Sequence, residues 1–216
     1  MNHSSELIVL SSTKVGEKNI VLHTLSREWG RRSFMTSAGK GSAMAKFLPL
    51  NILDAEITEN AKSDLWRMKG ISICYPLNGI RGNLHKNTMT LFMSEVLFRT
   101  IKDGAMEDGL YEWCRKSILT LDALERDFSN YHLRFLLELA SVLGFSPTDE
   151  GIAPFAGEYY REIHDLIDAD FASFMIMPLN GAARNDIAAI LLKYISFHTE
   201  SAINVQSLKV LRELYR

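Results

Sequence analysis

"NIVLHTLSREWGRRSFMTS", residues 19–37, reads as two short strands folded back on each other. Residues 19–25 and 31–37 are rich in the β-branched and aromatic side chains that suit a pleated sheet. Between them "SREWGRRS" forms the connection, with Gly30 available for a positive φ. Strand alternation puts Arg32, Phe34 and Thr36 on one face and Arg31, Ser33, Met35 and Ser37 on the other.

Working outward, similar runs occupy 6–10 ("ELIVL"), 47–58 ("FLPLNILDAEIT") and 64–74 ("DLWRMKGISIC"). In the last, Leu65, Arg67, Lys69, Ile71 and Ile73 share one side, and Trp66, Met68 and Cys74 the other. Five strands in about 75 residues predict a small closed barrel, because closure removes edges that so small a sheet could not protect.

After residue 80 the hydrophobic period changes to that of helices. Met89, Phe92, Met93, Val96 and Leu97 follow a helical stripe, and a second helical stretch covers roughly 108–126. "SNYHLRFLLELASVLGF" (129–145) is apolar on nearly every side, which predicts the central helix of a second domain, stopped at Gly144. Region 146–183 reads as looser and holds Pro147, Pro154 and Pro178. Ile187, Leu191, Tyr194 and Ile195 mark a further helix; Val205, Leu208, Leu211 and Leu214 mark the last. The predicted fold class is therefore α+β: a five-stranded closed barrel over 1–78, followed by an all-helical domain over 79–216, with the boundary in "CYPLNGIRGN".

The composition is that of an ordinary globular protein, with no run approaching the ~18 apolar residues of a membrane helix. "MNHSSELIVL" lacks the pattern of a signal peptide, so a cytoplasmic protein without membrane contact is expected. Cys74 and Cys114 are expected as free thiols and cannot supply a four-cysteine zinc site.

Charge is uneven. Residues 1–80 hold 10 Lys and Arg against 7 Asp and Glu, and residues 81–216 hold 14 against 19. The excess in the front half gathers in 27–47, where Arg27, Arg31, Arg32, Lys40 and Lys46 face only Glu28, with Trp29 and Phe34 among them. Cations that neutralise phosphates and aromatics that stack on bases suit single-stranded nucleic acid. The competing explanation is a solvated hairpin with Trp29 and Phe34 in the core. "AGKGS" is not a phosphate-binding P-loop, since Phe34 stands where that loop needs its first glycine and Gly41 where it needs Ser or Thr. His164, Asp165 and Asp168 share a helical neighbourhood and would serve a metal-dependent hydrolase, though no further ligand has recognisable spacing. A peptide-binding adaptor without DNA binding is the other alternative.

The order of parts resembles the RecO family of bacterial DNA-repair mediators. The resemblance rests on Gly16-Glu17, on Ser26-Arg27-Glu28-Trp29-Gly30, on Gly39-Lys40-Gly41, and on the later "LPLNILDAEI", "HLRFLLELASVLGFSP" and "HTESAINVQSLKVLRELY". It implies an OB barrel followed by helices. It also implies a non-enzymatic protein without cofactors that binds single- and double-stranded DNA, anneals complementary strands, and works with RecR to load RecA onto DNA coated by the single-strand binding protein (SSB); RecF is a further potential partner. Carried over by position, Arg27, Arg31, Arg32, Lys40 and Lys46 fall in the family's DNA-binding hairpin and loop, flanked by Lys14 and Lys18. For the acidic, apolar SSB tail, the expected site is Arg134 with Phe92 and Leu136; a pairing of Arg134 with Glu138 is the alternative for that cation. The four-cysteine zinc motif of many family members is missing, since residues 146–183 contain no cysteine, which implies a zinc-free variant.

Overall fold

The computed structural model describes residues 2–38, 41–60, 62–63 and 65–214. The chain divides into two compact units, Met1–Asn78 with Ile101–Ile118, and Gly79–Thr100 with Leu119–Arg216.

The first unit is built on a closed barrel in the order β1-β2-β3-β5-β4. Its strands are β1 (Asn2–Val15), β2 (Asn19–Ser26), β3 (Gly30–Ser37), β4 (Ile52–Thr58) and β5 (Trp66–Ile73). All neighbours are antiparallel except β3 and β5, which run parallel. This is the closed barrel the strand pattern predicts, of the OB type that the family resemblance implies. β1 is far longer than its apolar centre, because it pairs with β4 through its first half and with β2 through its second. A bulge between Val9 and Ser11 lets it bend between the two.

The predicted strand 47–58 is shorter than expected and begins only at Ile52. Residues Gly41–Phe47 instead form a 3₁₀ helix. The Asn51 side chain donates to Ala45 O (2.9 Å) and Lys46 O (3.0 Å), and Leu50 adopts φ 60°, so the chain turns before it extends. This turn drives Phe47 into the barrel, where it joins Leu7, Val9, Ile20, Leu22, Phe34, Leu53, Ala55, Ile57 and Met68. The alternation holds: Leu53, Ala55 and Ile57 point in while Asp54 and Glu56 point out. At the β2–β3 turn Gly30 takes φ 58°, as the hairpin reading requires.

Residues 101–118 return to this unit and contribute the start of α3 (Leu110–Ala123). Tyr111 Oη and Arg115 Nε (2.9 Å) both donate to Glu6 Oε1, and Arg115 also donates to Tyr75 Oη. Burial and the Glu6 carboxylate hold the Tyr111 phenol well above its ordinary pKa. Cys74 and Cys114 are free thiols; burial pushes Cys114 up to about 12 and, with Glu6, Cys74 to about 11.

The second unit is helical. It comprises α1 (Asn78–Arg81), α2 (Leu84–Thr100), α4 (Tyr131–Val142), α5 (Asp149–Ala156), α6 (Tyr160–Asp168), α7 (Phe171–Ile176), α8 (Gly181–His198) and α9 (Ser207–Leu214), with the end of α3. α4 is buried over most of its circumference, as its apolar run predicts, and ends before Gly144 at φ 89°. Region 146–183 is not loose, contrary to its composition. Thr148 and Asp170 cap α5 and α7 by accepting from Gly151 N (3.2 Å) and Ser173 N (2.8 Å). Between them α6 buries Ile163 and Leu166. Asn130, fully buried, donates to Phe174 O (3.0 Å) and Met177 O (2.9 Å) and pins the end of α7.

α9 is fastened by one carboxylate. Glu95 on α2 accepts from Gln206 N (3.1 Å), Ser207 N (2.8 Å) and Ser207 Oγ (2.6 Å), which caps the helix from outside. Burial alone would raise the Glu95 pKa, but these hydrogen bonds outweigh it and hold the carboxyl below its ordinary value. A depressed folded-state pKa contributes stability above the unfolded value and loses it as pH falls through the folded one. Glu95→Gln is therefore expected to cost about 1–2 kcal/mol at pH 7. In urea melts the gap between variant and wild type should close as pH drops below ~4; a gap that stays constant with pH would contradict the capping role.

Candidate nucleic-acid interface

The β3–β5 ladder is short, with only Phe34 paired to Trp66 and Met35 to Arg67. Beyond it the two strands part, and a groove opens lined by Asn19, Met35, Thr36, Ser37, Thr58, Arg67, Met68 and Lys69. Arg67 and Lys69 project outward on either side of the inward-facing Met68. Lys69 pairs with Glu56 at 3.3 Å, an exposed ion pair of the kind that contributes little and exchanges readily.

Lys14 and Lys18 belong to the same end of the barrel. Lys14 lies at the end of β1 opposite Ile20, and Lys18 in the turn that leads into Asn19 of the groove wall. Ala38 N donates to Lys18 O at 2.7 Å, which draws the turn toward the end of β3. Both lysines are exposed. Lys62 is exposed in the connection from Thr58 to Trp66. Exposed ammonium and guanidinium groups around an open groove can contact successive phosphates, and the half-buried Met35 can meet a base.

The remaining predicted cations have other surroundings. Arg32 shares the inward parity of Phe34, and its guanidinium lies 3.6 Å from the centre of the Trp66 ring. Trp66 in turn meets Trp29 and Phe34 edge-to-face, with ring centres 5.6 and 6.4 Å away. Phe34 is fully buried and Trp29 packs against the core, so this aromatic cluster closes the barrel mouth. Lys46 Nζ donates to Ile71 O at 2.8 Å, which ties the 3₁₀ helix to β5. Arg27 pairs with Glu112 and lies over Tyr111, while Arg31 donates to Ile101 O and faces Asp103 at 3.9 Å. Lys40 lies outside the described residues.

The groove lining thus holds Arg67 and Lys69, two cations the sequence reading did not select, with Lys14 and Lys18 at the same end of the barrel. The signal for them was present: Arg67 and Lys69 stand two apart on one strand face. Nothing local, however, distinguished that face from an ordinary solvated one.

In the helical unit, Phe92 and Leu136 are both fully buried. Phe92 packs edge-to-face on His132, and they supply core rather than an open pocket wall. Arg134 is half-buried; its Nε donates to Glu138 Oε1 at 2.6 Å and its guanidinium lies 5.4 Å from the Phe174 ring. A shallow groove does border it, lined by Leu137, Glu138, Ser141, Pro147, Leu166 and Ile167. His164 approaches Asp149 (3.2 Å), Asp168 (3.7 Å) and Asp165 (3.9 Å), but among the described residues no cluster has the arrangement to hold a metal ion. Among those residues no helix is long and apolar enough to cross a membrane.

A family model described as the N-terminal part of recombination protein O matches residues 1–77, and the corresponding C-terminal model matches 81–150. Proteins named DNA repair protein RecO are similar over nearly the whole chain. The one from Flavobacterium psychrophilum is 26% identical and covers 100% of both chains. Those from Phocaeicola vulgatus and Bacteroides fragilis are 25% and 27% identical, each covering 96% of this chain and 97% of the relative. The chain belongs to the RecO family. For a RecO-family protein the division of cations matters, because those that cap the barrel's own aromatics serve stability first. Arg32→Ala should cost roughly 1–2 kcal/mol by uncovering Trp66, read as an earlier urea midpoint by tryptophan fluorescence. Lys18→Ala should stay within about 0.5 kcal/mol of wild type; equal effects would remove the distinction.

Proposed function

We propose that this protein is a non-enzymatic DNA-repair and recombination mediator that binds single- and double-stranded DNA and anneals complementary strands. With RecR it helps load RecA onto SSB-coated DNA. The observation that carries this reading is the open groove of a RecO-family barrel with exposed Lys14, Lys18, Arg67 and Lys69 at its rim. Annealing needs no catalytic residue. Cations that offset phosphate repulsion lower the barrier to the encounter of two strands. In this assignment residues 1–78 supply the nucleic-acid surface and 79–216 the protein contacts.

Four phosphate contacts on a single strand give a log–log salt slope of roughly −2.8. Lys18→Glu/Arg67→Glu should reduce the slope to about −1.4 or less and slow annealing of complementary oligonucleotides at low salt. Anisotropy of a labelled oligonucleotide measures the slope. Failure of the wild type to bind at low salt would favour a peptide-binding adaptor instead.

For the acidic, apolar tail of SSB, the groove beside Arg134 offers one guanidinium next to Leu137, Pro147, Leu166 and Ile167. Capture of SSB by the immobilised protein should be lost when the last residues of SSB are removed, and reduced about tenfold by Arg134→Ala. Undiminished capture of the truncated SSB would refute this docking site.

A further inference from the structure

Residues 101–112 carry Asp103, Glu107, Asp108 and Glu112 against one cation, Lys102. From Lys102 to Gly109 the chain forms turns and irregular segments, largely exposed. It crosses the β2–β3 turn at close range. Arg31 N donates to Ala105 O (3.2 Å), and Gly104 N donates to Arg31 O (2.8 Å). The approach needs Gly30, because a Cβ there would lie 1.9 Å from Ala105 O.

The side chains repeat this pairing in charge. Glu112 engages Arg27, Asp103 faces Arg31, and Arg31 also donates to Ile101 O. The two arginines at the basic turn therefore meet carboxylates and a carbonyl from one acidic strap, in the manner that phosphate oxygens would meet them. The carboxylate contacts are of a kind that yields to competition, since Arg27, Glu112 and Asp103 are 67%, 53% and 62% exposed and exposed ion pairs are weak and screened by salt, whereas Arg31, with 15% of its side chain exposed, stays shut in while the strap is in place. Only two backbone hydrogen bonds join Lys102–Gly109 to β3 among the described residues, and segments tied this lightly open more easily than core elements.

We propose that the 101–112 strap is an intramolecular polyanion mimic that pairs with the exposed Arg27, shuts in Arg31 and is displaced by DNA, so that the barrel has a second, gated cationic surface besides the open groove. This rests on the DNA-binding reading and adds a regulation to it. A short or weakly bound strand engages the open groove alone. A longer strand, or one held at high local concentration, competes the strap away and gains the two guanidinium contacts.

The test uses the full chain and a fluorescein-labelled oligo(dT) of about 20 nucleotides, with anisotropy measured over a salt series. Asp103→Asn/Glu112→Gln removes the carboxylates that compete with phosphate at the two arginines, although Arg31 keeps its bond to Ile101 O, and should tighten binding about 3- to 10-fold at low salt, with the slope steeper by roughly 1. Glu107→Gln/Asp108→Asn makes the same charge change on the same strap outside those ion pairs, and should shift affinity less than twofold. A second measurement follows hydrogen exchange at the Gly104 amide, which should quicken when wild type is saturated with oligonucleotide. Equal shifts for the two variant pairs, no shift for either, or slower exchange at Gly104 would overturn the gate while leaving DNA binding standing. Absence of binding by the wild type would overturn both.

Discussion

The barrel closes on one short contact, the parallel ladder that sets Phe34 beside Trp66 and Met35 beside Arg67. Without it the other four pairings would leave an open antiparallel sheet with two unprotected edges. So few backbone pairs cannot hold a seam alone, and side chains make up the difference. Trp29, Phe34 and Trp66 pack edge-to-face across it, and the Arg32 guanidinium lies 3.6 Å from the centre of the Trp66 ring. The same brevity makes the groove, because the strands diverge once the ladder ends. Closure and opening are thus two consequences of one constraint, and the aromatic residues that suit base stacking are consumed in the closure.

That constraint sorts the positive charge. Arg32 is drawn inward to the seam. Arg27 and Arg31, at the far end of the hairpin, meet the acidic segment that returns after residue 100. Arg31 has only 15% of its side chain exposed, and burial lowers its pKa, although Asp103 works in the opposite direction. Lys14, Lys18, Arg67 and Lys69 remain at the end where β3 and β5 part. A run of five basic residues in 27–47 is therefore not one surface. Among its described members, Arg31 and Arg32 lie on successive, oppositely facing strand positions, Arg27 in the turn before them and Lys46 in a helical turn, so sequence proximity does not become spatial proximity.

The hairpin strands and the central helix were legible from local pattern, a period of two in the strands and a nearly unbroken apolar run around Tyr131–Val142, and closure followed from the strand count. The 3₁₀ helix at Gly41–Phe47 was not legible. It depends on the Asn51 side chain reaching back to Ala45 and Lys46, a contact that an apolar run such as "FLPLNIL" conceals. The helices of 146–183 were hidden by Pro154 and Pro178, which suggest breaks, whereas Thr148 and Asp170 supply helix starts from single hydrogen bonds. Among site residues, Lys14 and Lys18 were selected only through the family resemblance, and both are exposed. The roles of Phe92 and Leu136 were not legible, since an apolar residue on a helix stripe looks the same whether its face meets a partner or the core. The return of 101–118 to the barrel had no local signal at all, because it is decided by long-range contacts such as Tyr111 with Glu6.

The formal charge of the chain is −2, which would discourage polyanion binding if charge acted as a sum. At physiological ionic strength the screening length is about 8 Å, so a phosphate responds to the groups within that reach and little else. Glu56 beside Lys69 weakens the groove more than any remote acid does, and Glu112 beside Arg27 matters more than the rest of the acidic excess after residue 80. Both carboxylates are more than half exposed and oppose exposed cations, so each can be displaced by a phosphate of similar charge and geometry. Affinity in such a protein is then set by exchange of partners at a few cations rather than by net charge. A barrel carried on an acidic chain can grip nucleic acid while its own carboxylates keep that grip weak enough to release.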